Sequence, residues 1–210
     1  MARLSEKKKA VLESMMRESL FAAAKRLLEE EGWRGTTMER LAQEAGVSKG
    51  TVYNYFRDKR EILCFVVERN TEELRRFIRS IDPEAGDPRR ILGDVLEGLF
   101  EGLYRNRRVI AATIQAYHED EELRREDFDP RRHPLWDVRV FIRRVLVRGV
   151  EEGFFRSVDP ALTEAAINAV AVGLARQFSL DMLDVPGDDF AAAVRDLILE
   201  GLCPREALNP

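Results

Sequence analysis

The sequence predicts an all-α protein of about nine helices. An N-terminal three-helix helix-turn-helix domain is joined through a long fourth helix to a C-terminal helical bundle. Three observations predict it. Apolar residues recur at three- and four-residue steps along nearly the whole chain, the stripe of amphipathic helices. Glycines, prolines and Ser/Thr/Asp caps interrupt that period at helix-length intervals. Near residue 46 one glycine-punctuated break is so short that the flanking helices must form a tight corner.

The first helix runs from about Ser5 to Glu31, with Leu12, Met16, Leu20, Ala24 and Leu27 as its stripe, and stops at Gly32. Trp33 is expected to pack on a small local core. Thr36, with Glu39 three positions on, reads as a capping box opening the second helix. That helix buries Met38, Leu41, Ala42 and Ala45 and ends at Gly46. Ser48 caps the third helix only two residues later, so the pair forms a helix-turn-helix. Val52 and Phe56 are its core residues, and Val47 plugs the turn. Asp58 and Glu61 form another capping box, opening a fourth helix at Lys59 that reaches about Ser80 through Ile62, Val66, Leu74, Phe77 and Ile81.

Asp82 to Pro88 is a turn cluster. A fifth helix follows from about Pro88 to Tyr104, and a sixth from about Arg107 to His118. The stretch from Glu119 to Arg132 reads as a loop with some helix. His133-Pro134 opens a seventh helix ending near Gly153. Asp159-Pro160 is an N-cap with proline at the first helical position. The run AAINAVAVGLA after it is apolar round nearly its whole circumference, so it needs cover on several sides. Phe190, Val194, Leu197 and Ile198 mark the last helix. The domains are accordingly expected at 1–60 and 61–210.

With 210 residues, 45% hydrophobic and 34% charged, the chain can bury a core and still present a polar surface. Cys64 and Cys203 lie far apart, which argues against a disulfide scaffold or a zinc site. The charged start MARLSEKKKAV is unlike a signal peptide, and no apolar run is long enough to span a bilayer, so a cytoplasmic location is expected. His118 and His133 have no metal-ligand spacing. No nucleophile motif, phosphate loop or paired-carboxylate arrangement is visible, so neither catalysis nor a cofactor is expected.

Charge divides unevenly. Residues 1–60 carry 13 Lys+Arg against 9 Asp+Glu, and the remainder 21 against 29. All six lysines lie in the first part. A basic head on an acidic body suits a polyanion partner, because only the head gains by releasing counterions from phosphate.

The third helix gives that partner a surface. Lys49, Gly50, Thr51, Tyr53, Asn54 and Tyr55 lie opposite its core face. A recognition helix needs short donors where it enters the major groove, and Thr51 and Asn54 can reach base edges. Gly50 lets the backbone approach. Tyr53 and Tyr55 offer hydroxyls to phosphate oxygens; half-buried packing is their alternative role. Lys49 and Lys59 supply charge to the backbone, and Lys59 opens a helix, where anions are favoured. The candidate DNA-binding set is Thr36, Thr37, Ser48, Lys49, Gly50, Thr51, Tyr53, Asn54, Tyr55 and Lys59.

The string TTMERLAQEAGVSKGTVYNYFRDKREIL, Thr36 to Leu63, resembles the DNA-binding domain of the TetR family of transcriptional regulators. The likeness lies in the capping threonines, the A-G-V-S turn, K-G-T-x-Y, the Tyr-Phe pair and the lysine opening the fourth helix. It implies an all-helical homodimer whose N-terminal domain binds a palindromic double-stranded operator and whose C-terminal domain binds a small inducer.

Self-association would also cover the apolar C-terminal helices, through Ala165, Ala169, Val172, Leu174, Phe190, Val194, Leu197 and Ile198. For a largely apolar organic ligand the candidate lining is Phe65, Phe100, Tyr104, Gln115, Tyr117, His118, Trp136, Phe141, Gln177, Phe178 and Met182; plain core is the alternative for these aromatics. A dimeric DNA-binding regulator without a small ligand is the second functional reading, and a filled core would favour it.

Overall fold

Helix caps set most boundaries of the fold. The structure, a computed structural model, describes residues 2–126, 135–180, 182, 183, 185 and 187–204. Among these it is all helical: α1 (Ala2–Glu30), α2 (Gly32–Gly35), α3 (Met38–Glu44), α4 (Lys49–Tyr53), α5 (Lys59–Arg79), α6 (Pro88–Arg105), α7 (Arg107–Glu119), α8 (Glu121–Glu126), α9 (Trp136–Glu151), α10 (Pro160–Ser179) and α11 (Gly187–Leu202). Eleven helices stand where nine are expected. The two additions are the four-residue turn α2 and the polar α8, which occupies part of the expected loop. The expected helix start at His133-Pro134 lies outside the described residues.

Asp58, Asp87 and Asp159 cap α5, α6 and α10 by accepting from backbone amides, with proline following Asp87 and Asp159. At α3 the cap is Thr37, accepting from the Arg40 amide at 3.1 Å. The cap therefore sits one residue later than expected, and the Glu39 carboxylate pairs with Lys49 rather than closing a Thr36–Glu39 box. At α5 the Glu61 carboxylate accepts from the Arg57 amide at 2.7 Å, one residue before the cap. Helix α1 begins before Ser5, and Leu12 is exposed rather than part of a buried stripe.

Two apolar cores result. The first gathers Leu20, Leu27 and Leu28 of α1, Leu41 of α3, Val52 of α4, Phe56, and Ile62, Leu63 and Val66 of α5. It also takes Val109, Ala112 and Ala116 from α7 and Leu123 from α8. The second is built on α6 and α9, with Ile78 of α5 and residues of α10 and α11 closing it. Helix α11 packs chiefly on α6, and α10 on α7 and α9. The Asp82–Pro88 turn is fastened from inside, because the buried Arg148 guanidinium donates to the carbonyl oxygens of Pro83 and Gly86. No helix among the described residues is long and apolar enough to cross a membrane.

Candidate nucleic-acid interface

Gly46 makes the corner of the helix-turn-helix. Its φ of 67° lies in the left-handed region that favours glycine, and the Val47 amide then donates to Ala42 O at 2.9 Å. Ser48 caps α4, its hydroxyl accepting from the Thr51 amide at 3.1 Å and lying 2.9 Å from Thr51 Oγ1. Helix α4 is short and Asn54 is its C-cap. Val52 and Phe56 point into the core, leaving Ser48, Lys49, Gly50, Tyr53 and Asn54 exposed on one surface with Thr51 partly so. A Cβ built on Gly50 would meet only Ser48 Oγ, at 3.8 Å, so the backbone there is open to an approaching surface.

The remaining expected contacts are more constrained. Thr36 is 0% exposed, and its hydroxyl donates to Gly32 O at 2.8 Å. Thr36 is thus a buried structural residue and is removed from the DNA-facing set. Thr37 spends its hydroxyl on the cap, partly exposed. Tyr55 is half-buried against the head core, with the Arg17 guanidinium 5.9 Å from its ring centroid. Lys49 pairs with Glu39 and lies 5.7 Å from the Tyr53 ring centroid. The hydrogen bond from Lys49 raises its own pKa and lowers that of Glu39.

Lys59 sits flat over Trp33, its Nζ 3.9 Å from the ring centroid. Burial pulls the Lys59 pKa down, while the charges of Glu119 and Asp120 push it back up. These carboxylates belong to a seam between head and body. Arg34 meets Glu119 at 2.9 Å, and Arg60 meets Asp120 at 4.0 Å and also Glu122. Sequence periodicity offered no signal for the seam, because exposed charges carry no helical stripe.

The expected ligand residues scatter. Phe65 packs with Phe21 and Phe56 beside the head core, and Tyr117 lies against that same core. Phe100, Tyr104, Phe178 and Phe190 form one aromatic cluster with centroids 5.3 to 6.5 Å apart, filling the space between α6, α10 and α11. Phe190 is therefore core rather than subunit interface, and Leu174, Val194 and Ile198 are half-buried against the same core. Phe141 is buried, whereas Gln177 and Met182 are exposed. Trp136 lines a cleft of about 310 Å³ along α9, where Arg139 and Arg143 converge on buried Glu164 at 2.6 and 2.9 Å. Gln115, His118 and Phe178 line a larger cleft of about 1030 Å³ at the seam, bordered by α1, α7 and the end of α10.

A buried-backed short helix, entered through a glycine corner and presenting small polar groups beside cations, defines a helix-turn-helix DNA-binding protein. Residues 20–64 match the family described as bacterial regulatory proteins, tetR family, so the helix-turn-helix head is of that family's type. An uncharacterized HTH-type transcriptional regulator of Bacillus subtilis (strain 168), YfiR, is 27% identical over 178 residues, covering 80% of this chain and 83% of that one. The solved TetR family regulator PfmR of Thermus thermophilus superposes with a TM-score of 0.63 at 27% identity, covering 88% of this chain and 96% of that one. The fatty acid degradation regulator FadR of Bacillus halodurans shares the fold, with a TM-score of 0.73 at 23% identity over 89% of this chain and 95% of that one.

Proposed function

We propose that this regulator is a repressor, acting as a homodimer on a palindromic operator and released by a small organic ligand. Residues 1–60 would bind DNA, and residues 61–210 would bind the ligand and the second subunit. One observation carries the reading: the exposed polar face of α4 at one end is matched by an uncovered apolar face on α10 and α11 at the other. Leu162, Val172 and Leu197 are 71%, 58% and 72% exposed, with Ala165 and Ala169 on the same uncovered stretch of α10. Exposed apolar surface of this kind marks an interaction site. Two copies joined there would place two recognition helices for successive turns of one groove face, as a palindrome requires.

Mechanistically, Thr51 and Asn54 would read base edges while Lys49 and the hydroxyls of Ser48 and Tyr53 hold phosphates. Ligand and DNA would each weaken the other's binding by one common factor, through two dimer states that differ in head spacing. No catalytic role is proposed.

Ala169→Arg and Leu197→Arg test the assembly. Both positions are exposed in a single chain, so each variant should fold; in a dimer each buries an unpaired charge, costing several kcal/mol. Light scattering at micromolar concentration should give a monomer, and operator binding should fall in parallel. Dimers in both variants would place the interface elsewhere. The filled aromatic cluster around Phe100 favours a second reading, a dimeric regulator without a small ligand. It predicts that no organic compound changes operator affinity.

A further inference from the structure

The large cleft at the head–body seam has an uneven lining. Its apolar wall is Ile114, Phe178, Leu180 and Leu183, and its cations are Arg107, Arg108 and Arg176. Arg107 is committed to the end of α6, donating to Tyr104 O at 3.0 Å and lying 4.5 Å from that ring centroid. Arg108 and Arg176 have no ion-pair partner among the described residues and are exposed. The one carboxylate among the described lining residues, Glu29, already faces Lys25 at 3.8 Å. So the described lining offers two uncommitted guanidiniums next to an apolar wall, in a space of the size that takes small organic molecules.

We propose that this cleft binds an organic carboxylate with an apolar body. Arg108 and Arg176 take the carboxylate, for which the planar guanidinium is matched, and the apolar wall takes the body. The aromatic cluster behind Phe178 is already filled, so the body lies along its outer edge rather than within it.

Position gives the site its consequence. Leu28, Glu29 and Gly32 of the head form one side, while α7 and α10 form the other. Gln115 Oε1 lies 3.3 Å from the place a Gly32 Cβ would take, so α7 seats the start of α2 directly. An occupant beside Gln115 therefore bears on the segment that carries Trp33 and, through it, Lys59. This step rests on the ligand-responsive reading of the previous subsection; the binding site itself does not.

The test uses the whole protein with 4-phenylbutyrate and decanoate, each beside its neutral alcohol, and inorganic phosphate as a headgroup without a body. Calorimetry or thermal shift reads binding, and a labelled operator reads release. At least one carboxylate should bind, its alcohol and phosphate much more weakly. Arg176→Ala and Arg108→Ala should each weaken it about 10-fold or more, the loss expected for one charge-assisted hydrogen bond. Carboxylates that bind no better than their alcohols, or equally well to both variants, would overturn the proposal, as would no binding by either carboxylate. Binding without operator release would leave the site standing and remove the ligand-responsive function.

Discussion

Glu39 already pairs with Lys49, so a phosphate would have to compete for this lysine. The pair is exposed, and such pairs are worth little in water. A polyanion should win it. Lys49→Ala is therefore expected to weaken binding to all DNA sequences about equally and to lower the salt slope by about 1. Glu39→Gln should act the other way, strengthening binding at low salt; titrations at several salt concentrations read both. Thr51→Ala and Asn54→Ala should instead change base preference, which selection from randomised operators would show. Glu164 is a residue of another kind, 1% exposed and caught between Arg139 and Arg143. Burial pushes its pKa up, but the two arginine hydrogen bonds outweigh burial and leave it below the usual carboxylate value. A lowered folded-state pKa means the stabilisation is present above the unfolded value, about 4.3, and is lost as pH falls through the folded one. Glu164→Gln should cost about 1–3 kcal/mol at neutral pH. Its thermal midpoint should also fall less steeply than the parent's below about pH 4.3; parallel curves would mean that the pair contributes nothing.

Two glycines at element ends are held for different reasons. A Cβ at Gly46 meets nothing within 4 Å, so only the φ of 67° resists substitution. Gly46→Ala should cost about 1–2 kcal/mol and leave the corner intact. At Gly149 a Cβ would lie 2.1 Å from Phe155 Cδ2, inside the ring's own volume. Gly149→Ala must displace buried Phe155, and denaturant unfolding should show a loss of about 1–3 kcal/mol. Elements of this kind explain what could be read in advance. The starts of α5, α6 and α10 were legible because Asp58, Asp87 and Asp159 each precede a strong apolar period. The α3 cap is expected one residue too early, at Thr36, because either adjacent hydroxyl suits the chemistry and only burial of Thr36 decides for Thr37. Helix α2 spans four residues, too few to carry a period, and α8 has one apolar residue, Leu123. The polar face of α4 was legible because local spacing alone sets it. The ligand cleft was not, because it depends on how α1, α7 and α10 meet.

At the scale of the molecule, the first core is completed by residues far along the chain. Val109 is 1% exposed, and with Ala112 and Ala116 it packs among Leu27, Leu28, Trp33 and Leu63. The Arg34–Glu119 and Arg60–Asp120 pairs run along the same seam. A head whose core is finished by α7 cannot move freely of the body, which is what transmission from a body-side ligand requires. It also implies that damage in α7 is felt at α1 and α3. Val109→Ala removes two buried methyl groups and should cost about 1–3 kcal/mol by lost burial and a residual cavity. Native-state hydrogen exchange locates the loss. Amides of α1, α3 and α5 should lose protection together with those of α7, while amides of α6 and α9 around Leu96 and Leu146 lose less. The opposite pattern, a loss confined to α6 and α9 with α1 and α3 unchanged, would mean that the head is stable without α7. Transmission would then have to run through α5 alone.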